Sequence, residues 1–202
     1  GKTNQPPFVN AVARISTHLP PQALMQKLHA IERSAGRRRM LRWGPRTLDV
    51  DVHDRNGFDC GVPELNDYLK RLAEQHRRKG VSTPFVLVDT DAPSRILGYY
   101  CLSAAQVDAA ELREGDRKKL PRYPVPCFRL GRLAIRKDLL GQGIGKLLLA
   151  CAVDRCLKAR SDVAAYALIV DAKDENARQF YEHYGFTAFA GEPMTLYLGL
   201  GS

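Results

Sequence analysis

Three glycines at alternate positions, Gly141, Gly143 and Gly145, form the part of this sequence best suited to bind a ligand. They lie in the stretch RKDLLGQGIGKLLLACAV, in which a helical apolar pattern begins at Lys146. Glycine lets the backbone turn tightly, and the first N–H groups of a helix have no acceptor inside the helix. Such N–H groups, at the positive end of the helix dipole, bind phosphates. The turn predicts a pyrophosphate site, although a tight connection that binds nothing has the same pattern.

Regular elements flank this turn. Before it, the segment from Leu130 to Ile135 alternates apolar residues with arginine and glycine and predicts a strand, and after it Lys146 to Val153 keeps helical spacing. About thirty residues later, the apolar run from Ala165 to Val170 predicts a second strand, followed by a helix that ends near Tyr184. The strand, turn, helix and strand would bring the glycine turn to one end of a sheet.

The order of these elements carries a family resemblance. The glycine turn, the helix, the strand and an Ala-x-x-x-Tyr-x-x-x-Gly-Phe ending at Ala177, Tyr181, Gly185 and Phe186 resemble the acetyl-coenzyme A domain of GNAT N-acetyltransferases. The resemblance covers residues 54 to 199. It implies an α+β fold, in which a mixed and mostly antiparallel central sheet is flanked by helices, and it implies acetyl-coenzyme A as the cofactor.

Three further segments narrow the resemblance. FDCGVPELNDYL, ILGYYCLSAAQV and LPRYPVPCFRLGRLAI resemble the GNAT toxins of bacterial toxin–antitoxin pairs, which acetylate aminoacyl-tRNA. This resemblance implies that the substrate is aminoacyl-tRNA and that its acetylation inhibits translation. It also implies a cognate antitoxin as a partner, and it leaves a homodimer open. The alternatives are a GNAT enzyme that acts on a small-molecule or protein amine, and a non-catalytic scaffold.

The resemblance also assigns roles to individual residues. The backbone at Leu133 and Ile135 would pair with the pantetheine arm, where its N–H groups could polarise the thioester carbonyl. Tyr181 would be the general acid, because a phenol of pKa ~10 is protonated at neutral pH and can donate to a departing thiolate. Without the resemblance, Tyr181 would be assigned to core packing. The pyrophosphate would contact Gln142, Gly143, Gly145 and Lys146.

Several positions depart from the family pattern or remain unassigned. Leu140 stands where the family usually has Gln or Arg, and Asp174 stands where many members carry an Asn that contacts the coenzyme. No residue is assigned as general base. The available groups are His76, His183, Glu182 and Asp171.

The net charge of +9 favours a nucleic-acid partner, but it is unevenly distributed. Residues 1 to 51 hold nine Lys/Arg and three Asp/Glu, so the remainder of the chain is only mildly basic. Its cations are clustered, and we predict that two of these clusters bind RNA. They are Arg77, Arg78 and Lys79, and Arg117, Lys118 and Lys119. A third cluster contains Arg155, Lys158 and Arg160.

The first fifty residues have a different pattern, which predicts a strand, a helix and a strand. Asp49 and Asp51 alternate with apolar residues on the second strand, so both carboxylates share a face, which suits hard cations. This segment resembles the middle of 6-hydroxymethyl-dihydropterin pyrophosphokinase. The resemblance assigns pterin contacts to Phe8 and Asn10, ATP contacts to Arg37 and Arg46, and magnesium to Asp49 and Asp51.

The kinase resemblance is incomplete. The opening strand with its Gly-Ser-Asn turn is absent, and acetyltransferase sequence replaces the part after the paired aspartates. We therefore expect no pterin kinase activity. We assign residues 1–46 to a partial kinase-like extension and residues 47–202 to the acetyltransferase domain, with Thr47 to Val52 as its edge strand and Leu48, Val50 and Val52 directed inward. The alternative is a fusion artefact whose first 45 residues are poorly ordered.

Composition sets the remaining expectations. No apolar run approaches the ~18 to 20 residues of a membrane helix, and no secretory leader is recognisable, so we expect no membrane association. The five cysteines are an odd number and lack Cys-x-x-Cys spacing. They predict reduced thiols in a cytoplasmic protein, and we expect no metal site.

Overall fold

A seven-stranded sheet forms the centre of the protein, whose computed structural model describes residues 45–48, 53–118 and 120–201. Its order is β1-β2-β3-β4-β5-β7-β6, and every pair is antiparallel except β4 with β5. This confirms the predicted mixed, mostly antiparallel sheet. The strands are β1 Arg46–Thr47, β2 Thr83–Val88, β3 Ile96–Val107, β4 Val125–Ile135, β5 Ala167–Asp171, β6 Thr187–Ala188 and β7 Thr195–Gly199.

Two of the five described helices match predictions from the sequence: the helix Glu175–His183 ends next to the expected Tyr184, whereas the helix Ile144–Ala159 contains the predicted Lys146 to Val153 and continues beyond it. The Asp174 side chain caps the last helix by accepting a hydrogen bond from the Ala177 N–H, and Gly185 follows its end at φ 87°. Among the described residues, no helix has both the length and the apolar character needed to cross a membrane. The helices are α1 Pro63–Asp67, α2 Ala73–Arg78, α3 Glu114–Arg117, α4 Ile144–Ala159 and α5 Glu175–His183; a π-helical turn, Tyr68–Leu72, joins α1 to α2.

Buried side chains cover both faces of the sheet, because successive residues of a strand point to opposite sides. One face packs against α4 and α5, where Leu130, Leu148 and Tyr181 belong to the same core. We call this the α4 face. The other packs against α1 and α2 through residues such as Tyr68 and Tyr99, and we call it the α1 face.

The edge strand predicted at the N-terminal junction is present in its described part. Arg46 pairs with Val86 and Thr47 with Phe85 in an antiparallel ladder. The Leu48 N–H then donates to the Pro84 carbonyl over 3.0 Å, and the Leu48 side chain is 2% exposed in the core of the α1 face. Residues 49–52, which include the two aspartates and the remaining inward positions, lie outside the described residues.

Arg155 on α4 holds this edge in place. Its Nη2 donates to the Pro45 carbonyl over 3.1 Å and its Nε to the Tyr100 hydroxyl over 3.2 Å, while its guanidinium lies 3.9 Å from the Phe85 ring centroid. The neighbouring cations also make internal contacts, because Lys158 pairs with Asp154 and Arg160 donates to a backbone carbonyl. The three cations of the third basic cluster are therefore all engaged in contacts within the protein.

The edge strand should contribute measurably to the stability of the domain. A Leu48→Ala variant loses a fully buried side chain, so we expect it to unfold with about 2 to 5 kcal/mol less free energy and to melt at least about 4 °C lower. Thermal and urea unfolding monitored by circular dichroism measure both quantities.

Two matched changes make the comparison specific. Thr47→Ala alters an exposed side chain on the same strand and should leave the melting temperature within about 1 °C. Deleting residues 1–44 should preserve acetylation, whereas deleting residues 1–53 should lower stability because it removes β1 and Leu48. A fragment 54–202 as stable as the parent chain would show that the edge strand is dispensable.

Candidate active site

The candidate site begins where β4 separates from β5. The two strands pair only from Phe128 to Leu130 on β4 and from Leu168 to Val170 on β5. Strand β4 then continues for five residues to Ile135 without a β5 partner. Leu133 and Ile135, whose backbone the sequence resemblance assigned to the pantetheine arm, lie in this separated part.

A bulge on β4 changes which side chains face each side of the sheet. Cys101 of β3 pairs with Arg132 and Leu102 pairs with Leu130, which leaves Gly131 as an extra residue. Leu130 and Leu133 consequently both pack toward the α4 face. Arg132 lies over Tyr68 and Ala134 packs with the same core, so both face α1. Bulges next to active sites commonly redirect a side chain in this way.

A mostly apolar cavity of about 270 Å³ opens at this separation. Strand β4 forms one wall, and α5 contributes Ala177 and Tyr181. Cys60 and Val62 from the segment before α1, together with Leu65 of α1, form another part of the lining. The cavity therefore joins the predicted coenzyme strand to the predicted general acid. The remaining lining residues are Leu130, Gly131, Arg132, Leu133, Ala134, Ile135, Leu140, Asp171 and Lys173.

The glycine turn has the geometry of an anion-binding loop. Gly141 and Gly143 have φ angles of 77° and 79°, a left-handed conformation that other residues rarely adopt, and Gly143 is the N-cap of α4. Within the described residues, no backbone acceptor receives the N–H groups from Gly143 to Lys146. An added Cβ at either Gly141 or Gly143 would meet open space. The donors are consequently accessible to a ligand.

The other residues of the turn have distinct environments. A Cβ on Gly145 would lie 3.0 Å from Ile135 Cδ1, so this glycine allows α4 to approach β4 closely. The Gln142 side-chain amide donates to the Asp138 carbonyl over 3.3 Å, and its backbone N–H donates to the Leu139 carbonyl over 3.4 Å, so both groups of this predicted pyrophosphate contact are engaged within the turn. Lys146 is exposed on the first turn of α4, and Leu140 is exposed beside the cavity.

Tyr181 combines burial with access to the cavity. Its side chain is 8% exposed and packs edge-on against Phe180 and at a tilt against Phe186. Burial, with a smaller contribution from the charge of Asp171, raises the pKa of Tyr181 to about 12. The phenol is therefore fully protonated at neutral pH. It can act as a proton or hydrogen-bond donor but not as a base.

The groups considered as general bases do not converge on the cavity. Of the four, only Asp171 lines it, and Asp171 forms an ion pair with Arg129. His76 packs edge-on against Tyr68, and Glu182 pairs with Arg178. The base stays unassigned. Asp174, at the departure noted in the sequence, serves as the helix cap described above.

The first predicted RNA cluster is partly neutralised. Glu74, only 8% exposed, accepts Nε and Nη2 of Arg77 and Nε of Arg78, each over 2.8 Å. The hydrogen bond from Arg77, followed by that from Arg78, lowers the pKa of Glu74 to about 2, although burial opposes this shift. Lys79 is exposed at the end of α2. Two of the three cations therefore share a carboxylate.

The second predicted cluster borders a surface depression of about 430 Å³. Arg117, Lys118 and Arg122 line it, together with Asp108 and apolar residues of the same segment. Lys118 pairs with Glu114 over 2.9 Å, and Lys119 lies outside the described residues. Arg122 belongs to the same basic cluster of the sequence.

Sequence reasoning missed the second wall of the cavity. Arg132 and the residues Cys60, Val62 and Leu65 face the same space as Tyr181, although they are far from it in sequence. A glycine inside a strand pattern is a known sign of a bulge, so Gly131 was the available signal for Arg132. No comparable signal marks the other three residues.

Two family models match the chain. The model described as "Acetyltransferase (GNAT) domain" matches residues 104–195. The model of 7,8-dihydro-6-hydroxymethylpterin-pyrophosphokinase (HPPK) matches residues 2–86. A pyrophosphokinase from Pseudomonas aeruginosa is 56% identical over 52 residues, which are 26% of this chain and 32% of that enzyme. The chain thus spans about a third of the pyrophosphokinase it resembles.

Relatives of the acetyltransferase part extend over most of the chain. A tRNA-acetylating toxin from Mycobacterium tuberculosis is 34% identical over 154 residues, which are 76% of this chain and 90% of the toxin. Three solved structures cover 77% of this chain. AtaT complexed with acetyl-methionyl-tRNAfMet is 30% identical, with a TM-score of 0.72 and 93% of that chain covered. AtaTR bound with AcCoA is 34% identical, with a TM-score of 0.66 and 92% of that chain covered. A tyrosine-to-phenylalanine mutant of AtaT bound to the C-terminus of the antitoxin AtaR is 30% identical, with a TM-score of 0.66 and 92% of that chain covered.

The fold, the separated strands, the glycine turn and these extended matches agree with one another. An N-acetyltransferase domain occupies the larger part of the sequence, after a segment similar to part of a pterin pyrophosphokinase. The chain belongs to the GNAT family of acetyltransferases.

Proposed function

We propose that this protein transfers the acetyl group of acetyl-coenzyme A to the α-amine of aminoacyl-tRNA, as the toxin of a toxin–antitoxin pair that inhibits translation. The observation that carries the proposal is the cavity lined by the separated part of β4, by Tyr181 and by Leu140, which directly precedes the glycine turn. The similarity to tRNA-acetylating toxins over 90% of the length of one relative supports the substrate class. Mass spectrometry of a tRNA pool incubated with the protein and labelled acetyl-coenzyme A tests it.

The coenzyme would be held mainly by backbone groups. The free N–H donors from Gly143 to Lys146 suit a pyrophosphate, and the open space at Gly141 and Gly143 leaves room for it. The unpaired part of β4, around Leu133 and Ile135, offers a strand edge to an extended arm. Acetyl-coenzyme A supplies the activated acyl group as a thioester.

The chemical step needs an amine nucleophile and a donor for the departing thiolate. In our proposal Tyr181 supplies the donor, because its pKa of about 12 keeps the phenol protonated throughout the physiological range. No carboxylate or imidazole is assigned to deprotonate the amine. The amine of an aminoacyl ester is less basic than an alkyl amine, so loss of its proton to water suffices in this proposal.

The partners follow from the same proposal. Arg117 and Lys118 beside the second depression, with Lys119 next to them in the sequence, would contact the tRNA backbone. Arg77, Arg78 and Lys79 would do so with a smaller effect. A cognate antitoxin would control the activity, and a homodimer is left open. The five cysteines are free thiols, which supports a cytoplasmic location.

Other functions predict different results. A GNAT enzyme of small amines or proteins would leave the tRNA pool unlabelled and would acetylate free amines instead. A non-catalytic scaffold would bind the coenzyme without transfer, and its properties would not depend on Tyr181. We assign no pterin kinase activity, because the matches cover only part of such an enzyme, 32% of one pyrophosphokinase and 58% of another.

The turn at Gly143 should control coenzyme affinity. Gly143→Glu places a carboxylate beside the pyrophosphate donors and forces a non-glycine residue to φ 79°, so we expect at least about tenfold weaker binding of acetyl-coenzyme A. Isothermal titration calorimetry measures the affinity. Gly191→Glu, which introduces the same charge at an open position, is the control. Equal affinities for the two variants would disprove the assignment of the turn.

Tyr181→Phe should separate coenzyme binding from catalysis. The ring and its contacts with Phe180 and Phe186 remain, so coenzyme affinity should be unchanged, whereas kcat should fall roughly 10²-fold because the proton donor is removed. Since the pKa is about 12, the fall in kcat should be the same at pH 7 and pH 9. Initial rates with labelled coenzyme measure kcat.

Tyr184→Phe is the matched control for this experiment. Tyr184 lies at the end of the same helix and packs against Phe180, but it does not line the cavity. Its variant should retain the parental rate. If the Tyr181→Phe variant were as active as the Tyr184→Phe variant, Tyr181 would be a packing residue and not the proton donor.

The basic cluster at the second depression should determine the salt dependence of the reaction. Replacing Arg117, Lys118 and Lys119 by glutamine should lower kcat/KM for aminoacyl-tRNA and reduce the slope of its logarithm against the logarithm of salt concentration, by about one for each phosphate that is no longer neutralised. Coenzyme affinity should not change. Steady-state rates between about 50 and 200 mM salt provide the slope.

A second triple variant controls for net charge. Arg95, Lys158 and Arg178 each pair with a carboxylate. Their replacement by glutamine removes the same total charge, but from positions where a carboxylate already neutralises the cation. If both triple variants reduced the slope equally, the effect would come from net charge alone. A glutamine variant at Arg77, Arg78 and Lys79 tests the other basic cluster. Its melting curve must be measured as well, because the variant removes the ion-pair partners of Glu74 and can lower stability.

A further inference from the structure

Arg132 is a cation in the cavity wall without a carboxylate partner. Within the described residues, its guanidinium takes part in no ion pair or hydrogen bond. The other charged residues of the cavity differ in this respect, since Asp171 pairs with Arg129 and Lys173 pairs with Asp174. A half-buried arginine whose donors are unused is well suited to bind an anionic oxygen of a ligand.

Tyr68 fixes the position of this guanidinium. The Arg132 Cζ lies 3.6 Å from the centroid of the Tyr68 ring, and this contact orients the plane while leaving its edge free to donate hydrogen bonds. The ring is itself held, because the Tyr68 hydroxyl lies 3.0 Å from Ser82 Oγ and accepts a hydrogen bond from the Cys101 thiol. Tyr68 begins the π-helical turn, a feature that often occurs at functional sites.

The direction of Arg132 separates it from the glycine turn. Because of the bulge at Gly131, Arg132 faces α1, whereas Leu133 and Ile135 pack toward the α4 face. The phosphate-binding donors are at the N-terminus of α4. The anion that Arg132 binds would therefore belong to the acceptor and not to the coenzyme pyrophosphate. The apolar residues Cys60, Val62 and Leu65 line the same side of the cavity.

The chemistry of the acceptor identifies the anion. In aminoacyl-tRNA the carboxyl group of the amino acid is esterified and therefore carries no negative charge. The negative charge closest to the reacting amine is then the RNA phosphodiester that precedes the terminal adenosine. On the basis of the proposed function, we infer that Arg132 binds this phosphodiester and thereby positions the amine. Arg132 is thus a substrate-binding residue that provides part of the preference for aminoacyl-tRNA over free amino acids.

Two small acceptors test this inference directly. Both carry the amino acid that the wild-type protein acetylates in a tRNA pool, joined by a stable amide to 3′-amino-3′-deoxyadenosine, and one of them has an additional 5′-cytidylyl phosphodiester. We expect Arg132→Gln to raise KM about tenfold or more for the cytidylyl acceptor, with kcat nearly unchanged. KM for the acceptor without the phosphodiester should be the same in the variant and the parent.

Control variants make the result specific. Arg178→Gln removes the same charge from an arginine that is paired with Glu175 and Glu182, and it should leave KM unchanged for both acceptors. Arg132→Lys keeps the charge but loses the planar stack, so it should give an intermediate KM. Calorimetry with acetyl-coenzyme A should give the parental affinity for all three variants, which also shows that they are folded.

Each alternative outcome is distinguishable. An equal rise in KM for both acceptors, or no rise for either, would overturn the inference even if the protein acetylates tRNA. A loss of coenzyme affinity would assign Arg132 to the coenzyme phosphates, and Arg132-dependent acetylation of the free amino acid would assign it to a carboxylate. If the wild-type protein labelled no tRNA, the proposed function would fail before this test.

Discussion

The limited pairing of β4 with β5 is the constraint on which the rest of the structure depends. These are the only parallel neighbours in the described sheet, and a parallel connection requires a crossover, here formed by the glycine turn and α4. The crossover brings the N-terminus of α4 to the end of β4. Because the strands separate after Leu130, the same geometry exposes a strand edge next to that helix terminus and opens the cavity between them.

The bulge at Gly131 gives the cavity two chemically different sides. It leaves Leu133 and Ile135 directed toward the α4 face and turns Arg132 toward Tyr68 on the α1 face. In the proposed mechanism, the coenzyme and the acceptor approach from these two sides and meet near Tyr181. One additional residue in a strand is sufficient for this, since the side-chain period of a strand is two.

Contacts within the protein reduce the number of cations that are available to bind a polyanion. Glu74 binds Arg77 and Arg78, and Arg155 supports the edge strand through Pro45, Tyr100 and Phe85. These arginines are basic in the sequence but already engaged in the fold. Arg117 and Arg122 beside the second depression, with Arg132 in the cavity, take part in no ion pair among the described residues and remain the stronger candidates for contacts with a polyanion. The distribution of unpaired charge is therefore more informative than the total of +9.

The sequence by itself determined the elements whose signals are local. Glycines 141 and 143 must turn the chain before a helix, and Tyr181 must lie on the helix that ends just before Gly185. Leu48 must alternate with polar neighbours at the sheet edge. Only the tertiary structure decided which distant groups meet. The pairing of Arg132 with the Tyr68 ring joins residues 64 positions apart, and it depends on a register shift between β3 and β4. Register is set by packing across the whole sheet, so a local pattern cannot specify it.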